Sequence, residues 1–278
     1  MTSTMPSLAG HKVGFIGAGQ IGLPMIEMLV RAGADVSAYA RRSEARDGIE
    51  AVGARAVGTL DGLGDENEVV LSCLFSDAQF GEVQSGLFEI LRPGAVFASH
   101  TTGSPNTPRR FAESFAEAGK DVGVVDAPFS GTPELIRRSS LTVMLGGAKA
   151  DVDRVEPVVR AYANPVFRTG ELGSALLLKL INNAVFAANV QIALEVANVA
   201  RAVGVPLESV YEVLGASSGA TRAVAYMADF PSPEAFGEQV IHYLVKDVAI
   251  YEEVAGELGL DLGLISRTAK GGSIDLSR

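Results

Sequence analysis

The stretch KVGFIGAGQIGLPM, residues 12–25, sets three glycines, Gly17, Gly19 and Gly22, between an apolar run and a helical pattern. The order G-x-G-x-x-G is weak by itself in a chain that holds 31 glycines. Context strengthens it: the glycines follow a strand-like run at Val13–Ile16 and lead into a helix pattern. There the first glycine permits a tight turn, the second removes the Cβ that would block a pyrophosphate, and the third lets helix and strand pack closely. The helix N-terminus adds N–H groups and a partial positive charge for the phosphates. A dinucleotide site is expected at Gly17, Ala18, Gly19, Gln20, Ile21 and Gly22. The competing reading is a glycine-rich turn with no ligand.

The first half of the chain alternates. KVGFIG, DVSAYA, EVVLSCL, AVFASH, VGVVDAP and LTVMLGG read as strands, with helical patterns such as QIGLPMIEMLVRAG and TPRRFAESFAEAG between several of them. Those two helices stop at Gly33 and Gly119, as helix C-termini often do. Such alternation implies βαβ units and a parallel sheet covered on both faces. From about Ser174 helical patterns dominate. The Pro- and Gly-bearing stretch YANPVFRTGELG, residues 162–173, reads as the boundary. The expectation is an α/β Rossmann-type domain over 1–168 and an all-α C-terminal domain over 169–278, joined by a long helix. The polar tail TAKGGSIDLSR is expected to be loose.

Which dinucleotide is bound depends on the end of the second strand. An NAD site usually has a carboxylate there. Asp35 stands at the wrong end of DVSAYA, and the strand is followed by Arg41, Arg42 and Ser43. Two guanidiniums suit a 2′-phosphate through charge and paired hydrogen bonds, which favours NADP while leaving NAD possible. The alternative is a solvated pair of loop arginines. Leu74 and Phe75, where EVVLSCL ends, complete this expected cofactor-binding set.

Charge counts narrow the class of partner. With 33 acidic and 23 basic side chains the net charge is −10, which argues against a nucleic-acid surface. Cys73 is the only cysteine, so neither an internal disulfide nor a cysteine-based metal site can form. His11, His100 and His242 show no ligand spacing, and no metal is expected. His100, at a strand end, reads as a cofactor-side neighbour rather than a base. The opening residues lack the pattern of a secretory signal. The most apolar stretch, ALLLKLINNAVFAANVQIALEVANVA, is interrupted by Lys, Asn, Gln and Glu and reads as a buried helix rather than a membrane span. A cytoplasmic protein with no membrane partner is expected.

On that helix, at roughly 100° per residue, Lys179, Asn182, Asn183 and Asn189 fall within an arc of about 120°. A second polar group is Gln191, Glu195 and Asn198. A buried lysine is costly unless paired, and desolvation can bring its pKa down from about 10.4 toward a range useful for proton transfer. Asn183, four residues on, shares the face. The alternative is a lysine snorkelling to water at the helix start.

Taken together these motifs resemble the β-hydroxyacid dehydrogenase family, which includes 3-hydroxyisobutyrate dehydrogenase and tartronate semialdehyde reductase. VGFIGAGQIGLPM is similar to its cofactor fingerprint, DAPFSGT to its DAPVSGG substrate motif, GSALLLKLINN to its G-x-x-x-K-x-x-N-N signature, LVKDVAI to a late Lys-Asp motif and SHTTGSP to a Ser-Thr segment. The resemblance implies Ser130, Gly131 and Thr132 at the substrate, Lys179 as catalytic with Asn183 as a substrate ligand, and Thr102 and Lys246 near the cofactor. It also implies a C-terminal domain like that of 6-phosphogluconate dehydrogenase, an active site between domains, and a homodimer or homotetramer. Thr132 and Phe129 depart from the motif, and PELIRRSSL replaces a small, glycine-rich stretch. The expected reaction is hydride transfer between NADP and a small 3-hydroxy acid or semialdehyde, with Lys179 as general acid and base. An imine reductase and a non-catalytic NADP-binding protein are the rival readings; the presence of Lys179 counts against both.

Overall fold

The computed structural model describes residues 6–64 and 66–276. It divides into two compact units, Met1–Lys179 and Leu180–Arg278. The first unit runs β1 (Lys12–Ile16), α1 (Gly22–Arg31), β2 (Asp35–Tyr39), α2 (Ser43–Ala51), β3 (Arg55–Val57), β4 (Val69–Ser72), α3 (Asp77–Ile90), β5 (Val96–Ser99) and α4 (Asn106–Glu117). It continues with β6 (Gly123–Asp126), β7 (Phe129–Ser130), α5 (Pro133–Arg137), β8 (Leu141–Gly146), α6 (Lys149–Val159) and β9 (Ala163–Gly170). The helix α7 (Ser174–Ala202) starts in this unit and supplies the first helix of the next.

The described strands form one sheet. Six of them are parallel in the order β3-β2-β1-β4-β5-β6. Strand order reverses between β1 and β4, and in open α/β sheets the crevice outside the carboxyl ends at such a point takes ligands. Both faces of the sheet are covered. Phe15, Val69, Leu71, Val96, Ala98 and Val125 join one buried cluster, while Ile16, Val70, Phe97 and Val124 join the other. This period of two sends alternate side chains to opposite faces, which is why the strands read as continuous apolar runs. On the second face Phe111 meets Phe80 and Phe97 edge-on at 5.1 and 5.3 Å, an arrangement favoured by ring quadrupoles.

Gly33 and Gly119 end α1 and α4 in the left-handed region, φ +92° and +65°. In each case the next residue donates back into the last turn, Ala34 N to Leu29 O and Lys120 N to Phe115 O, closing the helix by the Schellman pattern.

Three strands escaped the sequence patterns. β3 has three residues and β7 two. Most of YANPVFRTGELG, expected as a connecting segment, is β9, which lies parallel to β8. A strand paired on one side only tolerates a proline and shows little apolar alternation.

The second unit holds the rest of α7 with α8 (Leu207–Gly215), α9 (Arg222–Met227), α10 (Pro233–Glu257) and α11 (Gly263–Lys270). Ala187, Val190, Ala193, Leu194 and Ala197 of α7 pack with Val224, Met227, Phe236, Leu244 and Val248. Gln191 is buried and donates to Ala269 O and Ile274 O, both at 2.7 Å. Leu276 is buried as well. The tail expected to be loose is therefore held as far as residue 276; residues 277–278 lie outside the described residues. α7 is long and apolar enough to cross a membrane by length and composition alone. Half of its most apolar window is buried, and one apolar face of it is exposed, with Leu178, Ile181, Val185, Ile192 and Val199.

The three opening glycines differ in what the fold demands of them. Gly17 has φ +97°, and a Cβ there would lie 2.4 Å from the Cys73 carbonyl oxygen. A Cβ on Gly22 would lie 1.8 Å from the Gly17 oxygen, and one on Gly19 meets nothing within 4 Å. Gly17→Ala and Gly22→Ala should each lower unfolding free energy by about 2 kcal/mol or more. Gly19→Ala should stay within about 0.5 kcal/mol of the parent. Urea titration of the three variants checks the ranking, and a Gly19 variant as unstable as the others would contradict it.

Candidate functional site

In the register of the sheet Ile16, Ser72, Ser99 and Asp126 are successive Cα partners across β1, β4, β5 and β6. The residues just beyond them continue the ladder: Cys73 N donates to Ile16 O, His100 N to Ser72 O and Ala127 N to Ser99 O. The glycine turn, the Cys73–Phe75 segment, the His100–Thr102 segment and the loop that opens at Ala127 thus leave the same edge of the sheet. Gly22 is the first residue of α1, whose N-cap, Ile21, supplies no side-chain hydrogen bond. The first-turn N–H groups of α1 face no capping side chain from that position, which suits a phosphate. Two further features fit a bound dinucleotide. Nothing in the fold requires a glycine at position 19, and its missing Cβ leaves open space. The hydroxyl of Thr101 is buried and, among the described residues, has no hydrogen-bond partner. Thr101 was not singled out in the sequence; its neighbour Thr102, half-buried, was. Leu74 packs close to Gly17. Phe75 is exposed, and its N–H donates to Gln79 Oε1 at the start of α3.

β2 ends at Tyr39, whose carbonyl accepts the Gly17 N–H at 3.2 Å. Arg41, Arg42 and Ser43 follow, all exposed, with Arg42 as the N-cap of α2 and Ser43 as its first residue. Arg41 forms an ion pair with Glu82 of α3. Arg46, which the sequence reading passed over, donates to Ala40 O at 3.1 Å and Arg41 O at 2.7 Å and so shapes this loop. Asp35 is at the opposite end of the strand.

The segment after β6 is held from behind by His100. Its Nδ1–H donates to Ala127 O at 2.5 Å, so Nε2 is left to accept from Tyr162 Oη at 2.8 Å. The ring also meets Phe129 and Tyr162 edge-on. Burial drives the His100 pKa down to about 4 and the Tyr162 hydroxyl well above its usual value. A buried neutral imidazole with both nitrogens engaged is a brace and not a base. Ser130 ends the two-residue β7, and Gly131 has φ +144°. Thr132 is the N-cap of α5 with φ −121°, so the side chain that replaces a glycine is accommodated without strain. Its hydroxyl hydrogen-bonds Glu134 and lowers that carboxyl's pKa.

Lys179 belongs to the first unit and is 9 % exposed. Asn183, one turn further along α7, belongs to the second unit and is 6 % exposed. The snorkelling alternative for Lys179 is not what the fold adopts. Asn183 donates from Nδ2 to Asp247 Oδ2 at 2.7 Å, and its Oδ1 accepts from Asn182 at 3.1 Å. Asp247 also pairs with Lys246 at 3.6 Å. Asp247 was missed as a site residue, although the Lys-Asp pair in LVKDVAI was its signal.

Comparison with known proteins adds an independent line. The model for the NAD binding domain of 6-phosphogluconate dehydrogenase matches residues 12–170. The model for the NAD-binding domain of NADP-dependent 3-hydroxyisobutyrate dehydrogenase matches residues 173–270. An oxidoreductase of Shewanella frigidimarina is 32 % identical over 216 residues, covering 76 % of this chain and 73 % of its own. A 2-(hydroxymethyl)glutarate dehydrogenase of Eubacterium barkeri is 27 % identical over 216 residues, covering 77 % and 71 %. The fold matches the structure of a Mycobacterium tuberculosis 3-hydroxyisobutyrate dehydrogenase with L-serine, at TM-score 0.82 and 23 % identity over 96 % of this chain and 97 % of that one.

The buried His100 gives a pH signature. Its folded pKa, about 4, lies below the usual 6.5, so the stability it confers is complete above pH 6.5 and is lost as pH falls toward 4. About 3 kcal/mol should disappear across that window. Denaturant titrations from pH 7 to 4 should show that loss, and His100→Gln should flatten the slope; an equal slope in both proteins would refute the assignment.

Proposed function

This chain belongs to the β-hydroxyacid dehydrogenase family of NAD(P)-dependent oxidoreductases acting on CH–OH groups, and we propose that it moves a hydride reversibly between NADP and a small 3-hydroxy acid or its semialdehyde. What carries the reading is a lysine and an amide, both buried and one turn apart on α7. The nicotinamide, when bound, supplies the hydride chemistry, and the chain supplies position and charge.

Lys179 holds the proton. In the reductive direction its ammonium donates from Nζ to the developing alkoxide, and in the oxidative direction its amine takes the hydroxyl proton. Asn183 orients that same oxygen. One of its two Nδ2 hydrogens is committed to Asp247, and the other is the one assigned to the substrate oxygen. Backbone N–H groups of Ser130 and Gly131, with Thr132, hold the substrate carboxylate. Lys246, beside Asp247, serves the nicotinamide end of the cofactor, and Thr102 a nearby part of it. Arg41, Arg42 and Ser43 receive the 2′-phosphate, for which Glu82 is a half-exposed, displaceable competitor. In this assignment residues 1–168 bind the nucleotide and 169–278 serve substrate binding and assembly. The exposed apolar face of α7 supports a homo-oligomer formed with a second copy of the chain.

Lys179→Ala should leave NADPH binding within about twofold of the parent while turnover of a hydroxy acid panel falls about a hundredfold or more. Parallel loss of binding and turnover would make the lysine structural. Arg41→Ala combined with Arg42→Ala should raise the NADPH dissociation constant at least about tenfold and leave NADH little changed. Matched losses for the two cofactors would refute the phosphate reading.

A further inference from the structure

Asp126 ends β6 and is fully buried. Its Oδ1 accepts the N–H of Gly173 at 2.7 Å and its Oδ2 the N–H of Leu176 at 2.8 Å. The carboxylate thus closes the first turn of α7, and Lys179 follows Leu176 by three residues on that same rigid helix. The surroundings are shaped to admit it. A Cβ on Gly146 would stand 2.5 Å from Asp126 Oδ1, and one on Gly173 would stand 2.9 Å from Nε of Arg109. Arg109 donates to Leu172 O at 3.0 Å, holding the chain just before the helix. Ser174 and Thr169 share a hydrogen bond at 2.7 Å, and Thr169 also donates to Leu145 O.

We propose that Asp126 is a positioning residue: by gripping the first turn of α7 it fixes Lys179 relative to the Ala127–Thr132 segment that follows it directly in the chain. This rests on the assignment of proton transfer to Lys179. A neutral Ser, Thr or Asn caps a helix at far lower cost than a buried carboxylate. The charge is costly here, since burial holds the Asp126 carboxyl above its usual range against the backbone N–H groups that draw it down. In return its two separate oxygens each hold a different amide, of residues three apart in the chain, which one hydroxyl oxygen cannot span in the same geometry. The residue that launches the proposed carboxylate-binding loop therefore also sets the start of the proposed proton-donor helix. A displacement of about 1 Å between such groups can cost about a hundredfold in rate.

The test is a double-mutant cycle. Asp126→Asn keeps the size and one acceptor, and loses the second acceptor and the charge. It should lower kcat about tenfold or more, with NADPH affinity within about twofold, because the lysine is displaced and the nucleotide turn is not. In a Lys179→Ala background the same change should alter kcat less than about threefold. Hydrogen exchange supplies a readout independent of turnover: the Gly173 and Leu176 amides should exchange at least about tenfold faster in Asp126→Asn. Ser174→Ala, which disturbs the same helix end but spares the carboxylate, should change neither. Asp126→Ser, read in the same way, serves if the Asn variant does not fold. Equal kcat losses in both backgrounds, unchanged amide exchange, or equal effects from Ser174→Ala would overturn the proposal. Full turnover by Lys179→Ala itself would instead overturn the proton-transfer assignment, and this proposal with it.

Discussion

The close approach of three backbone segments at Gly17, Gly22 and Cys73 is the constraint on which the nucleotide half depends. The Cys73 carbonyl lies where a Cβ of residue 17 would be, and the Gly17 carbonyl lies where a Cβ of residue 22 would be. Only glycine lets β1 turn into α1 beneath the end of β4. That turn points the α1 N-terminus to the point where strand order reverses. A steric requirement of the fold and an electrostatic requirement of a phosphate are thus met by one turn. Gly19 separates the two, because the fold alone makes no demand there.

Most of the first unit was legible because its physics is local. Apolar runs of four to six residues became β1, β2, β4, β5, β6 and β8, and the glycines expected to end α1 and α4 do so with φ above zero. β3, β7 and β9 were not legible because short or singly paired strands carry little hydrophobic pattern. The glycines and arginines were visible as motifs. Arg46, Thr101, Asp247 and Asp126 were not singled out: Arg46 acts on the nearby carbonyls of Ala40 and Arg41, Thr101 is marked only by its buried hydroxyl, and Asp247 and Asp126 meet partners distant in sequence. Asp126 meets Gly173 and Leu176 across 47 and 50 positions. Asn183 finds Asp247 across 64 positions.

Buried polar groups explain why α7 is more than a core helix. Lys179, Asn183 and Gln191 are all buried on it. Gln191 spends its amide on the backbone at Ala269 and Ile274 and so ties the end of the chain to the second unit. Asn183 spends one N–H on a carboxylate that also holds a lysine. The two polar groups seen in the sequence therefore lie apart on the helix wheel, but the wheel does not say what each amide does. Hydrogen-bond partners separate them: the bonds of Gln191 go to main chain, those of Asn183 to ionisable and amide side chains.

The departures from the family's substrate motif form a coherent set once packing is considered. Phe129 is larger than the residue it replaces, and its ring lies against His100, which is itself bonded to Ala127 and Tyr162. Thr132 replaces a glycine at a position whose backbone angle suits any residue and starts α5. Ile136 of that helix is fully buried and Arg137 pairs with Glu27 of α1. The stretch that is small and glycine-rich in the family is here a short helix fastened to the sheet and to α1. Under the proposed assignment Phe129 and Thr132 flank the Ser130 and Gly131 amides, so a change of shape at these two positions bears on which substrate fits rather than on the chemistry.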